Sequence, residues 1–161
     1  MAKVDVFLKL DGVEGEAHDS VHAKEIDVLS FNWGETNGSA AAAGGGSGKG
    51  KFQLRPFTVR KLTCKASPVL AKICASGRHI PTAVLSCRKA GLGQKDYLVY
   101  HFKEVFVTSY DFTIDETHVL PIDVVTFSAT YMEMEYKPQD GKGGLGGGVK
   151  FGVNTKTTEI I

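Results

Sequence analysis

Residues 40–51 read AAAAGGGSGKGK, a glycine-rich run with two lysines and the composition of a phosphate cradle. A phosphate loop needs G-x-x-x-x-G-K-[ST]: glycines free the backbone amides, the lysine reaches the phosphates, and the hydroxyl holds magnesium. Gly45 to Lys51 fill seven positions, but Phe52 stands where the hydroxyl belongs. The alternative frame through Gly48 and Lys49 starts at Ala43 and ends at Gly50, so it fails at both ends. A strand-like pattern follows the run, where a phosphate site would need a helix N-terminus. The run is therefore read as a loop between strands.

Other chemistry-bearing residues lead no further. His18 and His22 are four apart with Asp19 between them, but a zinc pair needs both imidazoles on one helix face. This segment lies in a polar loop ahead of a strand, so surface or hydrogen-bonding histidines are expected. Ser47 lacks the strand-to-helix elbow of a nucleophile. Arg55, Arg60, Lys61 and Lys65 form a mildly basic stretch, with Arg55 and Lys61 read as part of a solvated sheet face. Nucleic-acid binding would want aromatic platforms there and a larger positive surplus. The run GKGGLGGG (141–148) lacks the strand and helix of a dinucleotide fingerprint and is read as a turn. No catalytic residue, metal ligand or cofactor is assigned.

The totals narrow the class. At 161 residues the chain is expected to be one domain, residues 1–161, burying roughly two thirds of its unfolded surface. Nineteen basic and eighteen acidic residues leave a net charge of +1, too little for a field that gathers nucleic acid or acidic lipid. Asp5, Lys9 and Asp11 interrupt the apolar start, so neither a signal peptide nor a membrane span is expected. Cys64, Cys74 and Cys87 contain no CxxC pair and are read as reduced thiols in the cytoplasm, free and buried.

The periodicity predicts mostly strands: 4–10, 23–34, 51–62, 81–91, 95–110, 120–138 and 147–155. In 23–34 the apolar phase changes at Val28 and Leu29, which predicts a bulge or burial of both faces. In 51–62 it changes at Pro56, which predicts a bulge or an edge. Ser30 and Asn32 then point away from Phe31 and Trp33. Leu98, Tyr100 and Phe102 form one apolar stripe. Phe127, Ala129 and Tyr131 form another, turning wet at Glu133 and Glu135. One helix is predicted over 67–77, capped by Ser67, with Pro68 in its first turn and Gly77 as its left-handed stop. Its packed face carries Leu70, Ile73 and Cys74. The fold class is mainly β: a sandwich or barrel with one short flanking helix.

Several segments resemble, in order, the Hcp family, the tube protein of bacterial type VI secretion systems. They are VFLKLDGVEGE (6–16), the H-x-x-E-I-D-V run from His22 to Val28, SFNWG (30–34), the glycine-rich loop, SPVLAKICASGRHIPTAVLSCRKAG (67–91) and MEYKP (134–138). Two stretches depart from the pattern: the loop is rich in alanine over 38–48, and 110–120 lacks a glycine-rich insertion. The resemblance implies a β-barrel of two sheets, six copies in a ring with a wide channel, and rings stacked into a tube. It further implies a contractile sheath and a spike as partners, small effectors carried inside, export without a signal peptide, and no catalysis. On this reading Ser30 and Asn32 belong to the channel wall or a subunit seam. The loop 35–50, through Gly44, Gly45, Gly46, Ser47, Gly48 and Lys49, contacts the next ring. The alternative is a monomeric β-barrel that binds a ligand.

Overall fold

The computed structural model describes residues 4–38, 52–89, 95–117, 120–139 and 144–161. The strands are β1 (Val4–Leu10), β2 (Ile26–Val28), β3 (Ser30–Asn32), β4 (Glu35–Asn37), β5 (Phe52–Leu54) and β6 (Phe57–Leu62). Helix α1 (Ala66–Ser76) follows, then β7 (His79–Lys89), β8 (Asp96–Thr113), β9 (Ile122–Tyr136), β10 (Val149–Asn154) and β11 (Glu159–Ile160).

The main sheet closes on itself. β1 pairs with β7, β7 with β8, β8 with β9, and the first half of β9 with β6, all antiparallel. β6 then pairs with β3, while β2 pairs back to β1. Only Leu29 separates β2 from β3, and its amide donates to Arg60 O at 2.8 Å. The two short strands are thus one bent strand whose halves face different neighbours. The bulge expected at residues 28–29 is this bend, and it completes the barrel. The second half of β9 leaves the circuit to pair with β10, which carries β11.

β4 and β5 form a separate two-stranded sheet. This corrects the reading of 35–50 as all loop, because Glu35–Asn37 pairs with Phe52–Leu54. It also divides the segment 51–62 at Arg55 and Pro56, where the phase changes.

Aromatic rings fill the barrel. Phe57 stacks on Phe102 at 4.2 Å and on Phe127 at 4.9 Å between centroids, and Phe31 meets both Phe57 and Tyr100. The stripe read from Phe127 through Tyr131 does not continue inward: Met132 is buried in place of Tyr131. β8 changes phase in the same region, with Phe102 and Val105 both buried. Between them Glu104 adopts φ +50° and accepts a hydrogen bond from Thr130 Oγ1 at 2.8 Å. A left-handed residue inside a strand turns the following side chains to the other face.

The helix ends as expected. Gly77 is left-handed, and its amide bonds Ile73 O at 3.0 Å. Its start differs: Ser67 is not the cap. The Lys65 amide instead donates to Glu16 Oε2 at 3.1 Å, from a distant loop. The Ser67 hydroxyl is engaged elsewhere, donating to Asp123 and accepting from Lys61 Nζ at 2.9 Å and the Cys64 amide at 3.0 Å.

These contacts belong to a buried ion pair that corrects the solvated reading of Lys61. Lys61 and Asp123 face each other across β6 and β9, with Nζ 2.8 Å from Oδ2 and side chains 1% and 0% exposed. Thr63 Oγ1 donates to the other carboxylate oxygen at 2.9 Å. Burial alone would raise the Asp123 pKa, but hydrogen bonds from Lys61, Ser67 and Tyr110 hold it below the usual carboxylate range. Tyr110 is pushed up to about 12 by burial and by its bond to Asp123.

Removing one partner strands a buried charge. Asp123→Ala is therefore expected to lower the unfolding free energy by about 3–5 kcal/mol, read from urea denaturation. The depressed pKa also fixes a sign: the stabilisation from Asp123 is present above its unfolded pKa and is lost as pH falls through the folded value. In Lys61→Met the cation that depresses the Asp123 pKa is gone and burial pushes it up, so the acid-linked loss of stability contributed by Asp123 in the parent should shrink or reverse in the variant, read from urea midpoints across the carboxylate range.

Candidate assembly surface

The outer face of β3, β6, β9 and β8 carries two rows of side chains across the strands. In one, Asn32 lies opposite Thr58, Thr58 opposite Thr126, and Thr126 opposite Ser109. In the other, Ser30 lies opposite Arg60, Arg60 opposite Val124, and Val124 opposite Asp111. Ser30 and Asn32 are exposed, while Phe31 between them turns into the aromatic core. The alternation read in the sequence is therefore present. Thr58 and Thr126 approach through their hydroxyls at 3.3 Å, and Thr108 Oγ1 donates to Thr126 O at 3.1 Å. These bonds turn the hydroxyls onto one another and onto the backbone. The first row is thus a run of small hydroxyl and amide groups, and the second adds the exposed charges of Arg60 and Asp111.

The loop residues Gly44, Gly45, Gly46, Ser47, Gly48 and Lys49 lie outside the described residues. Their hairpin stem is described. There the Arg55 amide donates to Gly34 O at 2.8 Å, and the Arg55 guanidinium lies over Gly34, where a side chain would have to displace it.

A second constellation pins the segment 11–25 to the barrel. Gly15 lies against the backbone of Glu25, too close for any Cβ, and its amide donates to Lys24 O at 2.7 Å. His22 is buried and stacked on Phe7 at 4.5 Å. Its Nδ1 lies 2.9 Å from Glu25 Oε2 and its Nε2 3.0 Å from Asp96 Oδ1. Carboxylates at both ring nitrogens suit the imidazolium, which donates twice. Burial alone would lower its pKa, but Asp96 and Glu25 outweigh burial and raise it. Asp19 bonds the Arg88 guanidinium, which lies over Phe7 at 4.9 Å, and accepts from the amides of Val21 and His22. The bond to Arg88 holds the Asp19 pKa well below the usual range. His22 and Asp19 thus make structural hydrogen bonds, as the sequence allowed.

Among the described residues, no three of histidine, cysteine, aspartate and glutamate are grouped to hold a metal. Ser67 and Lys61 are spaced like a nucleophile and base, yet both are buried and held by Asp123. The three cysteines are unpaired; Cys87 is buried, and burial pushes its thiol up to about 11. Cys64 and Cys74 are only half-buried, so the expectation of buried thiols holds for Cys87 alone. The sequence reading missed the roles of Lys61, Asp123, Asp96 and Arg88. A signal was present for His22, whose partner Glu25 lies three residues on.

Comparisons with known proteins agree with this geometry. Residues 7–136 match the family described as "Type VI secretion system effector, Hcp". The chain is 37% identical over 155 residues to Protein hcp1 of Pseudomonas aeruginosa, covering 95% of this chain and 96% of the relative. It superposes on Hcp1 of Salmonella typhimurium with a TM-score of 0.83 at 34% identity, over 100% of both chains. A structure described as a type six secretion system protein gives a TM-score of 0.91 at 30% identity, over 99% of this chain and 100% of that one.

The His22 pKa is raised, so its stabilisation is complete below the unfolded value and fades as pH rises through the folded value. The urea midpoint of the parent should fall between about pH 6 and about pH 9, and His22→Gln should flatten that slope.

Proposed function

The chain belongs to the Hcp family as a tube subunit of the type VI secretion system, and we propose that six copies close into a ring through two different barrel surfaces. A closed ring needs such a complementary pair of patches on each subunit. The observation that carries this reading is the closed barrel with a filled lumen. Phe57, Phe102, Phe127 and Tyr100 occupy its interior, so the outer surfaces are left for function. The same filling argues against a monomeric barrel that binds a ligand in its lumen.

Within that ring, Ser30 and Asn32 face the channel, beside the hydroxyls of Thr58 and Thr126. The row of small polar groups offers cargo little to hold, and Arg60 and Asp111 in the neighbouring row are the charged groups cargo would meet. Small effectors are the proposed cargo, and the sheath and spike are the proposed outer and tip partners. The loop 44–49 is proposed as a contact to the neighbouring ring. The protein is a structural component that the system secretes, and its proposed place of assembly is the cytoplasm.

Native mass spectrometry of Asn32→Lys and Ser30→Lys tests the wall assignment. On a channel wall both variants keep the assembly of the parent and alter only what it retains inside. Free subunits from either variant would move these residues to the seam between copies.

A further inference from the structure

Beyond Asn32 the outer face opens into a concavity of about 350 Å³, lined by Asn32, Trp33, Gly34, Arg55 and Pro56. A smaller cavity of about 30 Å³ adjoins it and shares Trp33, Arg55 and Pro56 as walls. Its deeper walls include Phe57, Phe102 and Met132. A space of that size takes about one water or one methyl group, and the aromatic and thioether lining favours the methyl.

The outer concavity is cationic. Arg55 is exposed, and its guanidinium lies over Gly34 on the side that Asn32 lines. The ion pairs among the described residues engage other cations and leave Arg55 without an acidic partner. Arg60, opposite Ser30, is exposed and likewise unpaired among them. Asp111 is the acid of its row, but it stands two strands away, roughly 10 Å at strand spacing. Trp33 supplies the apolar side. Its Nε1–H donates to the Tyr100 hydroxyl at 3.1 Å, so the indole is fixed and its donor is taken.

A guanidinium with an open fork binds a carboxylate through two parallel hydrogen bonds. The exposed Asn32 amide can add a donor beside it. The methyl-sized cavity next to the fork takes a small apolar side chain. The last residue of a peptide supplies both groups, because its carboxylate and its side chain leave the same Cα. An internal aspartate or glutamate would need a second residue to fill the cavity.

We propose that this site captures the C-terminal carboxylate of a peptide ending in a small apolar residue. Arg55 holds the carboxylate, and the cavity beside Trp33 holds the side chain. This rests on the reading that puts Asn32 on the channel wall, and it names the part of a cargo chain which that wall would hold. One charge-assisted pair at an exposed site releases readily and weakens with ionic strength.

The test is fluorescence anisotropy of the full chain with a dye-labelled Gly-Ser-Gly-Ala peptide, as free acid and as amide. The acid should bind, and the amide should bind about tenfold more weakly, since the charge-assisted pair is lost. Arg55→Gln should impose the same loss on the acid, with an unchanged circular dichroism spectrum. Arg55→Lys should recover only part of it, because an ammonium has no fork. Gly34→Ala keeps the charge, but its Cβ would displace the guanidinium, so it too should weaken the acid. Equal binding of acid and amide would overturn the proposal, as would full binding by Arg55→Gln or no binding of the acid to the parent. An amidated peptide with an internal aspartate that bound as tightly as the acid would overturn the C-terminal assignment. Light scattering on the same samples separates this site from the ring reading. Acid binding by single chains would keep the site and overturn the ring; rings that ignore the acid would overturn the site alone.

Discussion

The bend at Leu29 is the constraint on which the architecture depends. One short stretch must pair with β1 through Ile26–Val28 and with β6 through Ser30–Asn32. Without the turn between the two halves, β1 and β6 would be open edges, and unpaired edges invite uncontrolled association. With it, every strand of the circuit has two neighbours. The Leu29 amide, bonded to Arg60 O, carries the ladder across the bend. The bend also sets the outward alternation that presents Ser30 and Asn32 while Phe31 and Trp33 stay with the aromatic core.

The buried Lys61–Asp123 pair acts on the same circuit from the other side of β6. It lies at the directly paired position of β6 and β9, so a slip in register would leave both charges without a partner in a dry site. Ser67 joins the pair to the first turn of α1, and Tyr110 joins it to β8. One ionic contact thus fixes two strands, a third strand and the helix relative to each other. Its value is better understood as specifying the arrangement than as adding net stability, because taking two charges out of water costs about as much as their attraction returns. A ring subunit needs such definition: neighbouring copies meet only if each presents the same surfaces.

Much of this was legible in the sequence. Periodicity located the long strands but not β4 or β11, the phase change at Val28 and Leu29 marked the bend, and Gly77 marked the helix stop. What escaped depended on tertiary partners. Lys61 looked solvated because Asp123 lies 62 residues away. Ser67 looked like a cap because Asp123, which takes its hydroxyl, lies 56 residues away. The phase change at Glu104 has no glycine or proline to announce it, and only the facing Thr130 and the buried Met132 explain it. The assembly surface was the least legible part. Ser30 and Asn32 carried an alternation that both a channel wall and a plain wet sheet would show, and the family resemblance decided which reading to pursue.

The most direct test of the account is the mass of the purified protein by light scattering, in reducing buffer, at two concentrations. The account predicts six chains per particle at both, with no dependence on cysteine oxidation. A single chain per particle at both concentrations would contradict it, leaving a closed barrel whose outer surfaces do not assemble.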